Sequence, residues 1–363
     1  MHIIDCDIHQ SVSGAKIAER LPAFFRQSFH KQSRDYVPNP TGVLRLDAKP
    51  PGGGTPGSDP AFLLEHHVKA FGITKAILTG SGVLATGTNS NADYANEFFR
   101  AYNDAMIEEW LDFDDRFYAA ISVGPQDPQA AAAEIRRVGA HPRVVQVVMC
   151  SAQRIPLGQR YFWPIYEACV EMGLPFSVHP GSESGGISNQ FIAGPPSSFL
   201  EFHTNLPQNY MGHIVSLVLE GVFEKFPSFK FIAIEGGLAW IPGVLWRMDK
   251  DWKSLRSTVP WVKKLPSEYI LESVRFTTQP IEEPTDPKHM LPLMEMIHAD
   301  KTLMFSSDYP HWDNDSPLHG LPKLPRDLEE RIYYKTAAEL YGFTDLLQEE
   351  ADVGIAEPAG AQG

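Results

Sequence analysis

The chain has 363 residues, of which 43% are apolar and 21% charged, the composition of a packed globular protein rather than a disordered or coiled-coil one. Its 45 acidic residues against 31 basic ones give a formal charge of −14. Nucleic acid and anionic membrane surfaces both need clustered Lys and Arg, so they are excluded as main partners, and a small-molecule partner is expected instead.

The first residues, MHIIDCDIHQ, meet Asp5 and Asp7 at once and do not form a secretory signal. No apolar run reaches the ~18–20 residues of a membrane-spanning helix. Cys6, Cys150 and Cys169 are odd in number and show no C-x-x-C spacing, which points to a reducing, cytoplasmic compartment. Short apolar, β-branched runs recur at 2–7, 75–79, 117–123, 144–149, 175–179, 229–234, 274–278 and 302–306. They are continuously apolar rather than alternating, as strands covered on both faces should be. Helical patterns fall between them at 91–110, 128–138, 160–172, 208–225, 238–252 and 287–297, and a last one at 326–341 follows the eighth run. Eight β-then-α units predict a (β/α)8 TIM barrel. No G-x-G-x-x-G follows a strand and no GxxxxGK[ST] occurs, which counts against nucleotide-binding folds.

Two segments exceed a minimal barrel. Residues 10–59 follow the first strand and carry PNPTG and PPGGGTPG, and residues 181–206 follow the fifth. Loops after strands build the active-site face of a barrel, so a lid or substrate wall is expected from both inserted loops. From residue 344 periodicity fades, leaving 344–363 as a tail behind one domain of residues 1–343.

Chemistry collects at the predicted strand ends. Strand one ends in Asp7-Ile8-His9, strand five in His179-Pro180, strand six in Glu235-Gly236-Gly237, and strand eight in a run from Ser306 through Asp308 to His311. In an extended segment the side chains at i and i+2 share a face, so Asp7 and His9 point together at the barrel mouth. Burying Asp7, Glu235 and Asp308 together without a cation would be costly. Asp7, His9, His179, Glu235 and Asp308 are therefore candidate metal ligands, and their mix of imidazole and carboxylate suits Zn, Mn or Fe. His66 and His67 are neighbours on a predicted helix, where adjacent side chains face apart, so they read as structural.

The stretches D-x-H at Asp7/His9, HPG at 179–181, GVFEKFP at 221–227, EGGLAWIP at 235–242, SSDYPHWD at 306–313 and TAAELYGF at 336–343 follow in order along residues 1–343. With them the chain resembles the amidohydrolase superfamily, in particular the amidohydrolase-related group of aminocarboxymuconate semialdehyde decarboxylase and γ-resorcylate decarboxylase. The resemblance implies Asp7, His9, His179 and Asp308 as metal ligands, with Asp308 also handling the proton of a metal-bound water. Glu235 falls where the decarboxylases carry a catalytic histidine in H-G-G, and Thr336 where relatives show Asn. The carboxylated lysine that bridges two metals in other members has no counterpart, because strand four ends in Val148-Met149-Cys150. One metal is then the simplest reading. A homo- or hetero-oligomer with a related chain is also implied.

The leading expectation is a metal-dependent hydrolase or decarboxylase of a small carboxylated or carbonyl substrate. Asp308, Glu235 and His213 are its candidate acid/base groups. His203, His311, Trp240 and Gln279 are candidate substrate contacts, and Trp312 and Phe202 candidate pocket walls. A competing expectation starts from charge: three carboxylates carry −3 against the +2 of one ion. A second ion on Glu235 with His203 or His213 would give an O2-dependent dinuclear iron hydroxylase, as in a few proteins that look like amidohydrolases. A third is the non-catalytic partner subunit of such a heteromeric enzyme.

Overall fold

The computed structural model describes residues 1–26, 29, 44–80, 82–181, 183, 185–188 and 194–353, with side chains to 348. Eight parallel strands, β1 (Ile4–Ile8), β2 (Lys75–Leu78), β3 (Phe117–Ser122), β4 (Val144–Cys150), β5 (Phe176–His179), β6 (Phe231–Ala233), β7 (Val274–Thr277) and β8 (Leu303–Met304), each pair with the next in chain order. Helices alternate with them, and the predicted (β/α)8 barrel is the fold observed. The strands are buried on both faces, as in the wholly buried VVQVVMC of β4, which is why they lack polar alternation.

Local chemistry sets the helix ends. Asp127 caps the helix Pro128–Val138 by accepting from the amides of Gln129 and Ala130 at 3.0 and 3.1 Å. Gly173, in the left-handed region, closes Trp163–Met172. The helix predicted over 208–225 is broken in two, Pro207–Leu219 and Val222–Lys225. Gly221 between them has φ +77°, and a Cβ there would sit 2.5 Å from the Trp261 ring. The expected tail is helical over Thr344–Val353, and Leu346 is buried against the barrel.

The seam between β8 and β1 nearly closes the barrel. Cys6 N–H donates to Phe305 O at 3.0 Å, Asp308 N–H to Asp7 O at 3.1 Å, and His9 N–H to Tyr309 O at 2.7 Å. β8 is shorter than its apolar run because side chains replace the ladder. Ser306 N–H donates to Thr278 Oγ1 at 3.0 Å and Ser307 N–H to Asp5 Oδ1 at 2.9 Å.

The insertion after β1 is partly helical, at Gly14–Arg20 and Ala23–Arg26. The PNPTG motif lies outside the described residues. The later part is seated on the ligand-bearing strand ends. Leu44 bridges His311 in antiparallel fashion, and Arg45 N–H donates to Pro310 O at 2.9 Å. Ser11 N–H donates to Gly57 O at 2.8 Å. Gly57 has φ +76°, and a Cβ on it would lie 2.4 Å from His9 O, so only glycine fits there.

Candidate metal centre

The five sequence-predicted ligands converge at the C-terminal ends of β1, β5, β6 and β8. One ligand atom from each of Asp7, His9, His179, Glu235 and Asp308 lies within 4.8 Å of all the others, and all five residues are buried.

The hydrogen bonds aim these groups. His9 Nδ1 donates to Gly80 O at 2.7 Å and His179 Nδ1 to Pro180 O at 2.7 Å. A carbonyl can only accept, so Nδ1 carries a proton in each ring and Nε2 is the nitrogen left for a metal, and both Nε2 atoms face the centre. His9 Nε2 is 2.9 Å from Asp308 Oδ1 and 3.4 Å from Asp7 Oδ1. His179 Nε2 is 3.4 Å from Asp7 Oδ2 and 3.5 Å from Glu235 Oε2. Thr79 donates to Asp7 Oδ1. Asp7 Oδ2, His9 Nε2 and His179 Nε2 are buried with no well-formed hydrogen bond. Three inward donor atoms left unsatisfied in this way fit a divalent cation.

The electrostatics agree. Burial and the Asp308 carboxylate push Glu235 well above the ordinary carboxyl range. Burial raises Asp308 to about 7 against the pull of His9. Burial would raise Asp7 too, but His9 and His179 overcome it and hold that carboxyl low. His179 rises to about 9 despite burial, because Glu235 and Asp7 face it. A metal-free cluster thus retains protons that a dication would displace.

Backbone strain marks the same place. Only three non-glycine residues among those described have positive φ, and two are ligand candidates, Glu235 at +56° and Asp308 at +61°. Conformations of this kind persist where surrounding contacts enforce them. Glu235 N–H donates to Thr277 Oγ1 at 3.2 Å. The Glu282 carboxylate accepts from Leu238 N–H at 2.9 Å and Ala239 N–H at 3.1 Å, pinning the turn after Glu235.

Above the cluster opens a cavity of about 330 Å³. Leu84, Phe199, Phe202, Leu206 and Trp312 give it apolar walls, and Glu183 and Asp313 add carboxylates. Among the described residues no lysine or arginine lines it. A second cavity of about 440 Å³, beside Gln126, Gln153 and Tyr161, contains none of the clustered ligands.

His203 and His311 reach the cavity as expected. His203 Nε2 is 3.2 Å from Asp313 Oδ2, and His311 Nδ1 is 2.5 Å from Asp308 Oδ1. Three expected site residues stand elsewhere. His213 has both ring nitrogens on backbone: Nε2 donates to Ser151 O at 2.8 Å and Nδ1 accepts from Leu157 N–H at 3.3 Å. It therefore can neither serve the proposed chemistry nor share a second ion with Glu235. Trp240 donates from Nε1 to Gly236 O at 2.7 Å and packs edge-on against Phe276, outside the cavity lining. Gln279 is fully buried and donates to Asp313 O at 3.2 Å, one layer below the wall. Glu183, Asp313 and Glu282 were not singled out from sequence. Glu183 is four residues past His179 and Asp313 closes SSDYPHWD, so proximity to a ligand was the available signal.

The γ-resorcylate decarboxylase of Polaromonas sp. (strain JS666) is 26% identical over 235 residues, covering 60% of this chain and 67% of its own. That of Rhodococcus jostii (strain RHA1) is 26% identical over 236 residues, with the same coverage. Among solved structures, 2,6-dihydroxybenzoate decarboxylase from Rhizobium aligns at TM-score 0.66 and 18% identity, covering 95% of this chain and 99% of that one. Dihydroxybenzoic acid decarboxylase from Polaromonas sp. JS666, with bound manganese and the inhibitor 2-nitroresorcinol, aligns at 0.67 and 19%, covering 94% and 97%. An amidohydrolase from Mycobacterium avium subsp. paratuberculosis aligns at 0.71 and 20%, covering 94% and 99%. These structural likenesses establish a shared barrel. The amidohydrolase family model matches residues 4–343, and the chain belongs to that family.

Proposed function

We propose that the chain is a metal-dependent carboxy-lyase of a small carboxylated aromatic substrate. The observation that carries this reading is the buried set of five ligand groups, with three unsatisfied donor atoms turned inward beneath an aromatic-walled cavity. The decarboxylase relatives of Polaromonas and Rhodococcus support the reaction class.

Asp7, His9, His179 and Asp308 would hold one divalent cation. The manganese bound in the Polaromonas structure supports Mn2+ among the metals that suit this donor set. When bound, the ion supplies a Lewis acid that polarises a substrate oxygen. The chain's own residues do the rest. Phe199, Phe202 and Trp312 pack the ring and exclude water, and His203, held by Asp313, donates to a substrate oxygen. The bond between ring carbon and carboxyl breaks and CO2 leaves. The electron pair stays on the ring carbon and takes a proton from the Glu235 carboxyl. Glu235 stands where the resembling decarboxylases carry a catalytic histidine.

The strap of residues 44–59 serves as a lid wall, supported by Leu44 in the cavity lining and by Gly57 seated on His9. A cytoplasmic setting is supported by three free, buried thiols. No helix of the described residues is long and apolar enough to cross a membrane.

The test is CO2 release from the Mn2+-loaded chain over a panel of hydroxybenzoic acids. One equivalent of CO2 per equivalent of phenol is expected from at least one member. No CO2 from any member, with hydrolysis of esters or amides instead, overturns the reading.

A further inference from the structure

Behind the ligands lies a second buried polar cluster that metal binding does not use: Asp5, His67 and Ser307, all fully buried. His67 comes from the segment Leu64–Lys69 ahead of β2, outside the barrel, and reaches in to the β1–β8 seam. Its Nε2–H donates to Asp5 Oδ2 at 3.0 Å and lies 3.0 Å from Ser307 Oγ. The other Asp5 oxygen accepts from two amides, Ser307 N–H at 2.9 Å and Asp7 N–H at 3.3 Å. Ser307 Oγ accepts from Tyr309 N–H at 3.1 Å. The His67 ring stacks on Tyr309 at 4.3 Å between centroids and 14° between planes.

The placement of these bonds is informative. β1 is irregular against β2 between Asp5 and Ile8, so its strand geometry alone does not fix where Asp7 points. β8 ends at Met304, four residues before Asp308. On the β8 side the regular strand stops short of Asp308, and there the Asp5 carboxylate supplements the backbone bonds that cross the seam. It binds the amide of Asp7 itself and the amide next to Asp308. His67 then fixes the carboxylate. His67 Nδ1 is buried without a hydrogen bond, a desolvation cost that an apolar residue would avoid. Packing therefore does not explain a histidine here, whereas holding a carboxylate does.

We propose that Asp5, His67 and Ser307 are positioning residues for the metal centre, setting the spacing between the β1 ligands Asp7 and His9 and the β8 ligand Asp308. The inference rests on the metal site of the proposed function but not on its reaction. Outer partners of this kind typically change metal affinity 10- to 100-fold.

The experiment measures Mn2+ affinity of the full chain by competition with a chelator, with circular dichroism to confirm folding. His67→Leu and Asp5→Asn are expected to weaken Mn2+ binding about 10- to 100-fold. His67→Gln keeps an N–H donor near the Nε2 position and is expected to recover most of that loss, a rescue that bulk packing would not predict. Affinity of His67→Leu within twofold of the parent overturns the proposal. Should His67→Leu fail to fold, Ser307→Ala carries the test: several-fold weaker binding supports it and unchanged binding overturns it. A parent chain that binds no Mn2+ overturns this inference and the proposed function together. A parent that binds Mn2+ but releases no CO2 overturns only the reaction.

Discussion

Glu282 holds the turn that carries Glu235. Its carboxylate, from the loop after β7, takes the amides of Leu238 and Ala239, while Glu235 itself sits at φ +56°. Charge-assisted bonds of this kind contribute about 1.5–3 kcal/mol each. Glu282→Ala should therefore lower thermal stability and relax Glu235. A fall in kcat of about tenfold with little change in KM is expected, read by steady-state kinetics beside a thermal melt. Unchanged kcat would separate the turn from the chemistry.

Glu235 and Asp308 should part company when each is neutralised. Asp308→Asn removes a ligand, so Mn2+ content and activity are expected to fall together. Glu235→Gln removes an acid, so kcat should drop about 10²- to 10⁴-fold with metal retained. Metal analysis of both purified variants decides this, and loss of metal from Glu235→Gln would make Glu235 a ligand instead.

The His203–Asp313 pair gives a pH signature away from the ligands. The hydrogen bond to Asp313 raises His203 above its ordinary 6.5. Burial would raise Asp313, but His203 holds it below 3.8. A raised histidine contributes stability that is complete below pH ~6.5 and fades as pH climbs through the folded value. The Asp313 contribution is present above ~3.8 and is lost only in acid. The gap in melting temperature between the parent and Asp313→Asn should therefore be larger at pH 6 than at pH 9. An equal gap at both would show that His203 is not charged in this pair.

Glu183 sets the sign of the cavity. It is buried and accepts from Ser151 Oγ and from Gly181 N–H, and among the described residues no lysine or arginine lines the cavity with it. Glu183→Gln removes one negative charge near an anionic substrate. It should tighten binding of carboxylated ligands roughly thirtyfold, because two unit charges ~8 Å apart repel by about 2 kcal/mol at an effective dielectric near 20. Inhibition constants for a substituted benzoate provide the measurement, and weaker binding would reverse the assignment.

The barrel and the convergence of its five candidate ligands were legible because each rests on a local signal. Continuous apolar runs such as VVQVVM mark strands covered on both faces, and the spacing of D-x-H puts two candidate ligands on one face of the first strand. His213, Trp240 and Gln279 were misplaced for one shared reason. Each carries polar atoms that suit a site, yet a side-chain nitrogen of each donates to a backbone carbonyl, at Ser151, Gly236 and Asp313 respectively. Such pairings arise only once distant segments meet. Glu282 illustrates the converse, a residue 47 positions after Glu235 that no spacing rule connects to it.

Gly57 has a practical side. Its missing side chain lets the inserted segment rest directly on the His9 carbonyl, so the segment and the ligand strand are one fitted part. An engineer seeking new specificity by exchanging that segment would have to keep Gly57, and Leu44 with its pairing to His311, as fixed joints of the graft. A transplant that placed alanine at 57 would push on the backbone of a candidate metal ligand. It would be scored as an inactive specificity variant when it was in truth a damaged metal site.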